Sequence, residues 1–155
     1  MNHAPTGRLI ISIDGACSGK RAACAAVCAR GGRVVSEESR FLPAVDGYVL
    51  AAELGGVALA MELIASDTEP GTITLESDNP DVPRVIRNGY RSRQAARIPQ
   101  NILDAAIEFH RKLRPHYIVR PRNTTPGLRR ADRLAGQCLW HKRDAARRRR
   151  RSPGH

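Results

Sequence analysis

Aromatic residues are scarce in this chain, 4% of its 155 positions, although a hydrophobic fraction of 41% is ordinary for one soluble domain with a sizeable core. Its four cysteines, Cys17, Cys24, Cys28 and Cys138, lack the paired C-x-x-C spacing of a zinc site. Cys24 and Cys28 stand four apart in an Ala/Val-rich run, hence on one face of a strand, where thiols serve as small core residues. A disulfide framework is not expected either. No long apolar run is present. The longest, Ala44–Ala65, is interrupted by Asp46, Glu53, Glu62 and a glycine pair, which makes it a poor membrane span. Met1–Gly7 is mostly polar, contains Pro5 and leads into no apolar stretch of signal-peptide length. A cytoplasmic protein with no membrane partner is the expectation.

What the chain has in excess is positive charge, and that charge is unevenly spread. The net value is +11, made of −3 over residues 1–76 and +14 over residues 77–155. A strongly basic half beside a mildly acidic one points to an anionic polymer, with nucleic acid ahead of a membrane surface. A merely solubilising surface is the plainer explanation. The block Arg147–Arg151, followed by Pro153-Gly154, reads as a disordered basic tail. The expected organisation is one domain over 1–141 and a tail over 142–155.

Arg8–Asp14 is a dense apolar run, as in a strand buried on both faces, and Gly15 is expected to break it. Ala22–Arg30 and Arg33–Leu42 flank Gly31-Gly32 and read as a hairpin. A helix from about Tyr48 to Ser66 carries Leu50, Leu54, Val57, Met61 and Ile64 on one stripe. Pro70-Gly71 marks a turn before the strand Thr72–Ser77, and a helix follows Pro80 and closes at Gly89. A loop over Tyr90–Gln100 leads to the amphipathic helix Asn101–Leu113, with Ile102, Leu103, Ala106, Ile107, His110 and Leu113 expected inward. His110 reads as a packed residue rather than a ligand. His116–Pro121 is the last expected strand, and Pro126-Gly127 leads a final helix. The sum is an α/β domain with a mixed sheet.

Four carboxylates stand out against this pattern. Asp14 ends the first expected strand and Asp78 follows the fourth, where ligands gather in open α/β sheets. Either acid alone would also be explained by capping a turn or a helix. Glu53 shares the flank of the core stripe, with Val57, Ala60 and Ile64 following at helical spacing, and Asp132 lies on the face of Leu128, Ala135 and Leu139. An unpaired inward acid raises its pKa and destabilises the fold, so each needs a cation, an arginine or a metal ion. Four such acids on four elements suggest one shared divalent-cation site. Glu62, Asp104 and Glu108 lie on polar faces and need no such explanation.

Four motifs in order, IDGAC (Ile13–Cys17), AAELGGVALAMEL (Ala51–Leu63), ESDN (Glu76–Asn79) and RRADRLA (Arg129–Ala135), resemble those of the type 1 ribonucleases H. The resemblance runs from about Arg8 to Leu139. It implies a ribonuclease H-like, five-stranded mixed sheet of order 3-2-1-4-5 flanked by helices. It also implies a catalytic quartet, Asp14, Glu53, Asp78 and Asp132, holding two Mg²⁺ or Mn²⁺ ions. Such ions prefer oxygen ligands, and a pair of them can activate water and stabilise the leaving 3′ oxygen of a phosphodiester. By the same likeness Asp14 would bridge both ions, Glu53 and Asp78 would hold one, and Asp132 the other. The implied activity is metal-dependent endonucleolytic cutting of the RNA strand of RNA/DNA hybrids by a monomer.

Hybrid recognition needs contact with 2′-hydroxyls on one strand and phosphates on the other. Gly15, Ala16, Cys17 and Asn79 would serve the first, and Arg91, Arg93, Arg97 and the Arg147–Arg151 tail the second. The chain departs from the family pattern at several positions. Arg122 stands ten residues before Asp132, where a His commonly falls, and takes its place as a candidate catalytic residue. The glycine-rich turn is shortened to Ser18-Gly19-Lys20-Arg21, Val49 replaces an expected Asn, Pro80 replaces a polar residue, and the basic handle shrinks to Tyr90–Arg97. These changes bear on substrate choice more than on metal binding. Two other readings therefore stand beside the first: a nuclease of the same fold acting on branched DNA or double-stranded RNA, and a catalytically silent nucleic-acid-binding module.

Overall fold

Three antiparallel strands open the domain: β1 (Leu9–Ser18), β2 (Arg21–Arg30) and β3 (Arg33–Phe41). There follow α1 (Val49–Ile64), β4 (Ile73–Ser77), α2 (Asp81–Asn88), α3 (Gln100–Leu113), β5 (His116–Val119) and α4 (Pro126–Arg151). Two short 3₁₀ turns, Gly89–Arg91 and Ala95–Arg97, lie in the segment expected as a loop. The structure, a computed structural model, describes residues 7–43, 45–65 and 71–151, with side chains as far as 141. Ser66 and Pro70, at the expected helix end and turn, and residues 152–155 of the expected tail lie outside the described residues. Within the expected tail, the backbone of α4 is helical as far as Arg151. Ala and Arg, which fill that stretch, are among the best helix formers.

The strands form one sheet in the order β3-β2-β1-β4-β5. β4 pairs parallel with both β1 and β5. Parallel neighbours need crossovers, and α1 supplies the first while α2 and α3 supply the second. The β2–β3 turn uses Gly31 and Gly32, both at positive φ, as a two-residue hairpin demands.

β2 shows how the layers are built. Ala22, Cys24, Ala26 and Cys28 alternate onto the face covered by α1, and Ala25 and Val27 onto the face covered by α4. Such small side chains let helices press on both faces of one strand. Cys24 and Cys28 are buried thiols, as expected. Burial pushes the Cys24 thiol up to about 12, so it stays neutral. On β1, Leu9, Ile11 and Ile13 join the larger core, but Ile10 is 37% exposed because α4 does not cover that end of the strand. Phe109, absent from the inward face expected for α3, is fully buried, whereas His110 is half-buried with Nδ1 2.8 Å from Tyr117 Oη. Among the described residues no helix is long and apolar enough to cross a membrane.

Gly15 does not end β1. The strand runs on to Ser18, and the glycine marks a close approach instead: a Cβ there would stand 2.6 Å from the Glu53 backbone nitrogen and 2.7 Å from the Ala52 carbonyl carbon. Backbone cannot yield as a side chain tip can. Gly15→Ala is expected to push α1 off the sheet and to lower stability by about 1–3 kcal/mol, as overpacking does. Urea unfolding measures it, and an unchanged midpoint would show that α1 is free to shift.

Candidate active site

β4 ends at Ser77, and its pairing with β1 ends at Ser12 opposite Glu76. Beyond that point β1 continues without a neighbour on the β4 side, and the gap opens a cleft. Asp14 enters it from the middle of β1, opposite Ala25, rather than from a strand end as expected. Asp78 enters from the residue after β4. Glu53 comes down from α1, a helix buried around most of its circumference, so this acid is inside whichever stripe is chosen. Ligand oxygens of Asp14, Glu53 and Asp78 lie within 4.8 Å of one another. Asp132, on α4, lines the same cleft, near enough to Asp14 to bear on its charge. The four expected acids are thus brought together in one open cleft of about 530 Å³.

The acids burden one another. Burial, followed by the neighbouring carboxyl of Asp132, raises Asp14 above the usual carboxylate range. Burial, followed by the charges of Asp14 and Asp78, raises Glu53 still further. Asp78 is raised by burial too, with Arg122 pulling the other way. Glu53 is 3% exposed, and its Oε2 is buried with no hydrogen-bond partner. An orphaned carboxylate oxygen in a ring of acids fits a hard cation, for which an all-oxygen set is the right chemistry.

Arg122, in the loop before α4, stands 3.4 Å from Asp132 Oδ1 and is 74% exposed on its side chain. Gly15, Ala16, Cys17 and Asn79 line the cleft with the acids, as do Val49 and Pro80. Asn79 Oδ1 accepts from the Asp81 amide, which ties it to the start of α2. Arg91, Arg93 and Arg97 are exposed and lie outside the cleft, in the segment of 3₁₀ turns. Arg97 stacks its guanidinium over Tyr48, 3.8 Å from the ring centre. One buried acid escaped the sequence reading of function. Glu76 is 5% exposed, and the sequence marks it as a charge inside the otherwise strand-like Thr72–Ser77 and as the first residue of the ESDN motif.

No protein-family model matches the chain, and no curated protein matches it in sequence. Solved structures do match. The RNase H1 of the halophilic archaeon Halobacterium salinarum aligns at 24% identity and TM-score 0.71, over 87% of this chain and 99% of that one. The N-terminal RNase H domain of Rv2228c from Mycobacterium tuberculosis aligns at 17% identity and TM-score 0.74, over 90% and 99%. LC11-RNase H1, solved in complex with an RNA/DNA hybrid, aligns at 15% identity and TM-score 0.70, over 86% and 98%. The fold is ribonuclease H-like, with the strand order that the motif resemblance implied.

Proposed function

We propose, from the ribonuclease H-like fold as premise, that this chain is a metal-dependent endonuclease that hydrolyses the RNA strand of RNA/DNA hybrids. The observation that carries the reading is the convergence of Asp14, Glu53 and Asp78 within 4.8 Å, with Asp132 against Asp14. Buried like charges are costly unless a cation offsets them, and a silent binder of polyanions would gain nothing from them. Two Mg²⁺ or Mn²⁺ ions, when bound, supply an activated water on one side of the phosphorus and charge stabilisation for the leaving 3′ oxygen on the other.

The chain's own residues divide the rest of the work. By the family likeness Asp14 would serve both ions, Glu53 and Asp78 would hold one, and Asp132 would hold the other. Arg122 reaches over the mouth of the cleft, where its guanidinium can hold a phosphate oxygen while restraining Asp132. The backbone of Gly15–Cys17 and the Asn79 side chain border the place of the ribose. Arg91, Arg93 and Arg97 extend the basic surface to neighbouring phosphates, so binding falls steeply with salt. Arg122→Ala is expected to lower kcat/KM by about 10–100-fold, the usual range for a group that orients a metal ligand. Equal rates for the two proteins would remove Arg122 from the mechanism.

The direct test offers end-labelled RNA/DNA hybrid, duplex DNA and duplex RNA with Mg²⁺ or Mn²⁺, and again with EDTA. Cutting of the RNA strand of the hybrid alone, leaving 5′-phosphate and 3′-hydroxyl ends, is expected, with none in EDTA. Val49 and Pro80, apolar where the cleft meets the ribose, favour a second reading in which another duplex is the substrate. Cleavage of duplex RNA or branched DNA in preference to hybrid would establish it. Intact substrates throughout, with salt-sensitive binding retained, would leave a binding module.

A further inference from the structure

Glu76 has no part in the cleft, yet it is as deeply placed as Asp14 and Glu53. Its Oε1 accepts two hydrogen bonds, from Ser12 Oγ at 2.5 Å and from Thr125 Oγ1 at 2.7 Å. Its Oε2 lies 3.5 Å from Arg120 Nε. Thr125 Oγ1 also accepts from the Leu128 amide at 3.1 Å and so caps the first turn of α4. The two bonds depend on each other. A carboxylate only accepts, so the hydroxyl proton must point at Glu76, which leaves the hydroxyl lone pairs for the helix amide.

The first turn of α4 rests directly on this cluster. A Cβ at Gly127 would overlap Ser12 Oγ and come within 3.0 Å of Glu76 Oε1. Further along, α4 meets the sheet through Ala131 and Ala135 on Ala25 and Val27. Leu128 and Leu139 on the same helix are buried as well, and Arg130 pairs with Glu37 on β3, so α4 is held to the sheet along its length. The polar cluster, bonding β1 and β4 to the helix start, sets its first turn.

We propose that Glu76 is a positioning residue: with Ser12 and Thr125 it sets the start of α4, and through it the placement of Asp132 against Asp14, Glu53 and Asp78. Asp132 lies two helical turns beyond Thr125, so a slip at the cap is carried rigidly to the acid. The other three acids are held by β1, α1 and the end of β4 and do not depend on α4. The inference rests on the nuclease reading only in giving the shared site a cation.

The test uses the full chain and two readouts that need no cleavage: amide hydrogen exchange, and Mn²⁺ affinity by calorimetry. Glu76→Leu keeps volume and removes both acceptors. It is expected to speed exchange of the 127–133 amides at least about tenfold, with β1 and β4 protected as before. It is also expected to weaken Mn²⁺ binding by about tenfold. In an Asp132→Asn background the same change should weaken Mn²⁺ no further. Glu76→Gln, which retains an acceptor oxygen for both hydroxyls, should recover most of the affinity. Thr125→Val is the second variant, with the same expected direction, should Glu76→Leu not fold. Unchanged exchange over 127–133, or an equal loss of affinity with and without Asp132, would overturn the proposal. Hybrid cleavage by the unmodified chain is scored separately, because its absence sinks the nuclease reading and leaves both results standing.

Discussion

Asp14→Asn is expected to lower hybrid cleavage by roughly a thousandfold or more, the scale seen when a group acting only as part of a catalytic unit is removed. The same change is expected to raise the melting temperature of the cation-free protein by about 3–8 °C, a gain of roughly 1–3 kcal/mol for a domain of this size. The two effects share a cause. Asp14 is 6% exposed and faces Glu53, Asp78 and Asp132, so its charge is what the cations use and what the empty fold resists. Asparagine keeps the shape and can still accept from the Gly15 amide, which now bonds Asp14 Oδ1 at 2.9 Å. It removes the charge that stands next after burial in raising Glu53. Cleavage assays beside calorimetric melts in EDTA measure both. Lost activity with a lowered melting temperature would mean that Asp14 supports the fold rather than the chemistry.

A divalent cation is expected to reverse how stability depends on pH. Without one, Asp14 rises from 3.8 to about 7 and Glu53 from 4.5 to about 10. Both therefore hold protons in the folded state that the unfolded chain has released. Where the native state binds more protons than the unfolded state, stability falls as pH rises. The fall begins near pH 4, runs through about 7 for Asp14 and continues toward 10 for Glu53. Glu37 and Glu62, lowered mainly by their hydrogen bonds to Arg130 and Arg40, act in the opposite sense, but only below the usual carboxylate range. Metal ligands must be deprotonated, so a cation gains affinity as pH rises and stabilises by its excess over its Kd. Added Mn²⁺ should shift the melting temperature little at pH 5 and by about 5–10 °C at pH 8.5, a few kcal/mol in this size class. Thermal shifts across that range, with Mn²⁺ and with EDTA, check it. A metal shift independent of pH, or a cation-free protein more stable at pH 8.5 than at 5, would mean that these acids are not the ligands.

The pattern of residues determined a good deal by itself. Strand and helix periods placed every element to within a few residues, because each face of a buried strand or helix repeats at its own fixed interval. The same periods exposed Asp14, Glu53, Asp78 and Asp132 as acids in costly places, and burial costs apply whatever the partner. The strand order came from the motif resemblance, since periodicity does not say which strand lies beside which.

Only the tertiary structure decided what lies opposite each of those residues. Gly15 looks like a strand breaker until the backbone of α1 is seen 2.6 Å from where its Cβ would be. Phe109 lies off the inward stripe that helical spacing predicts for α3, and the packing of α1 and α2 against that helix decides that it is buried. Arg122 stands out in the sequence by its place ten residues before Asp132, but only the fold shows its guanidinium 3.4 Å from Asp132 Oδ1. Glu76 is a lone strand acid in the sequence, and Ser12 and Thr125, 64 and 49 residues away, give it a purpose. A chain's local pattern records which way a side chain faces, because that is set by its own backbone. What it meets there is set by the packing of distant segments, and a single sequence does not carry that distance.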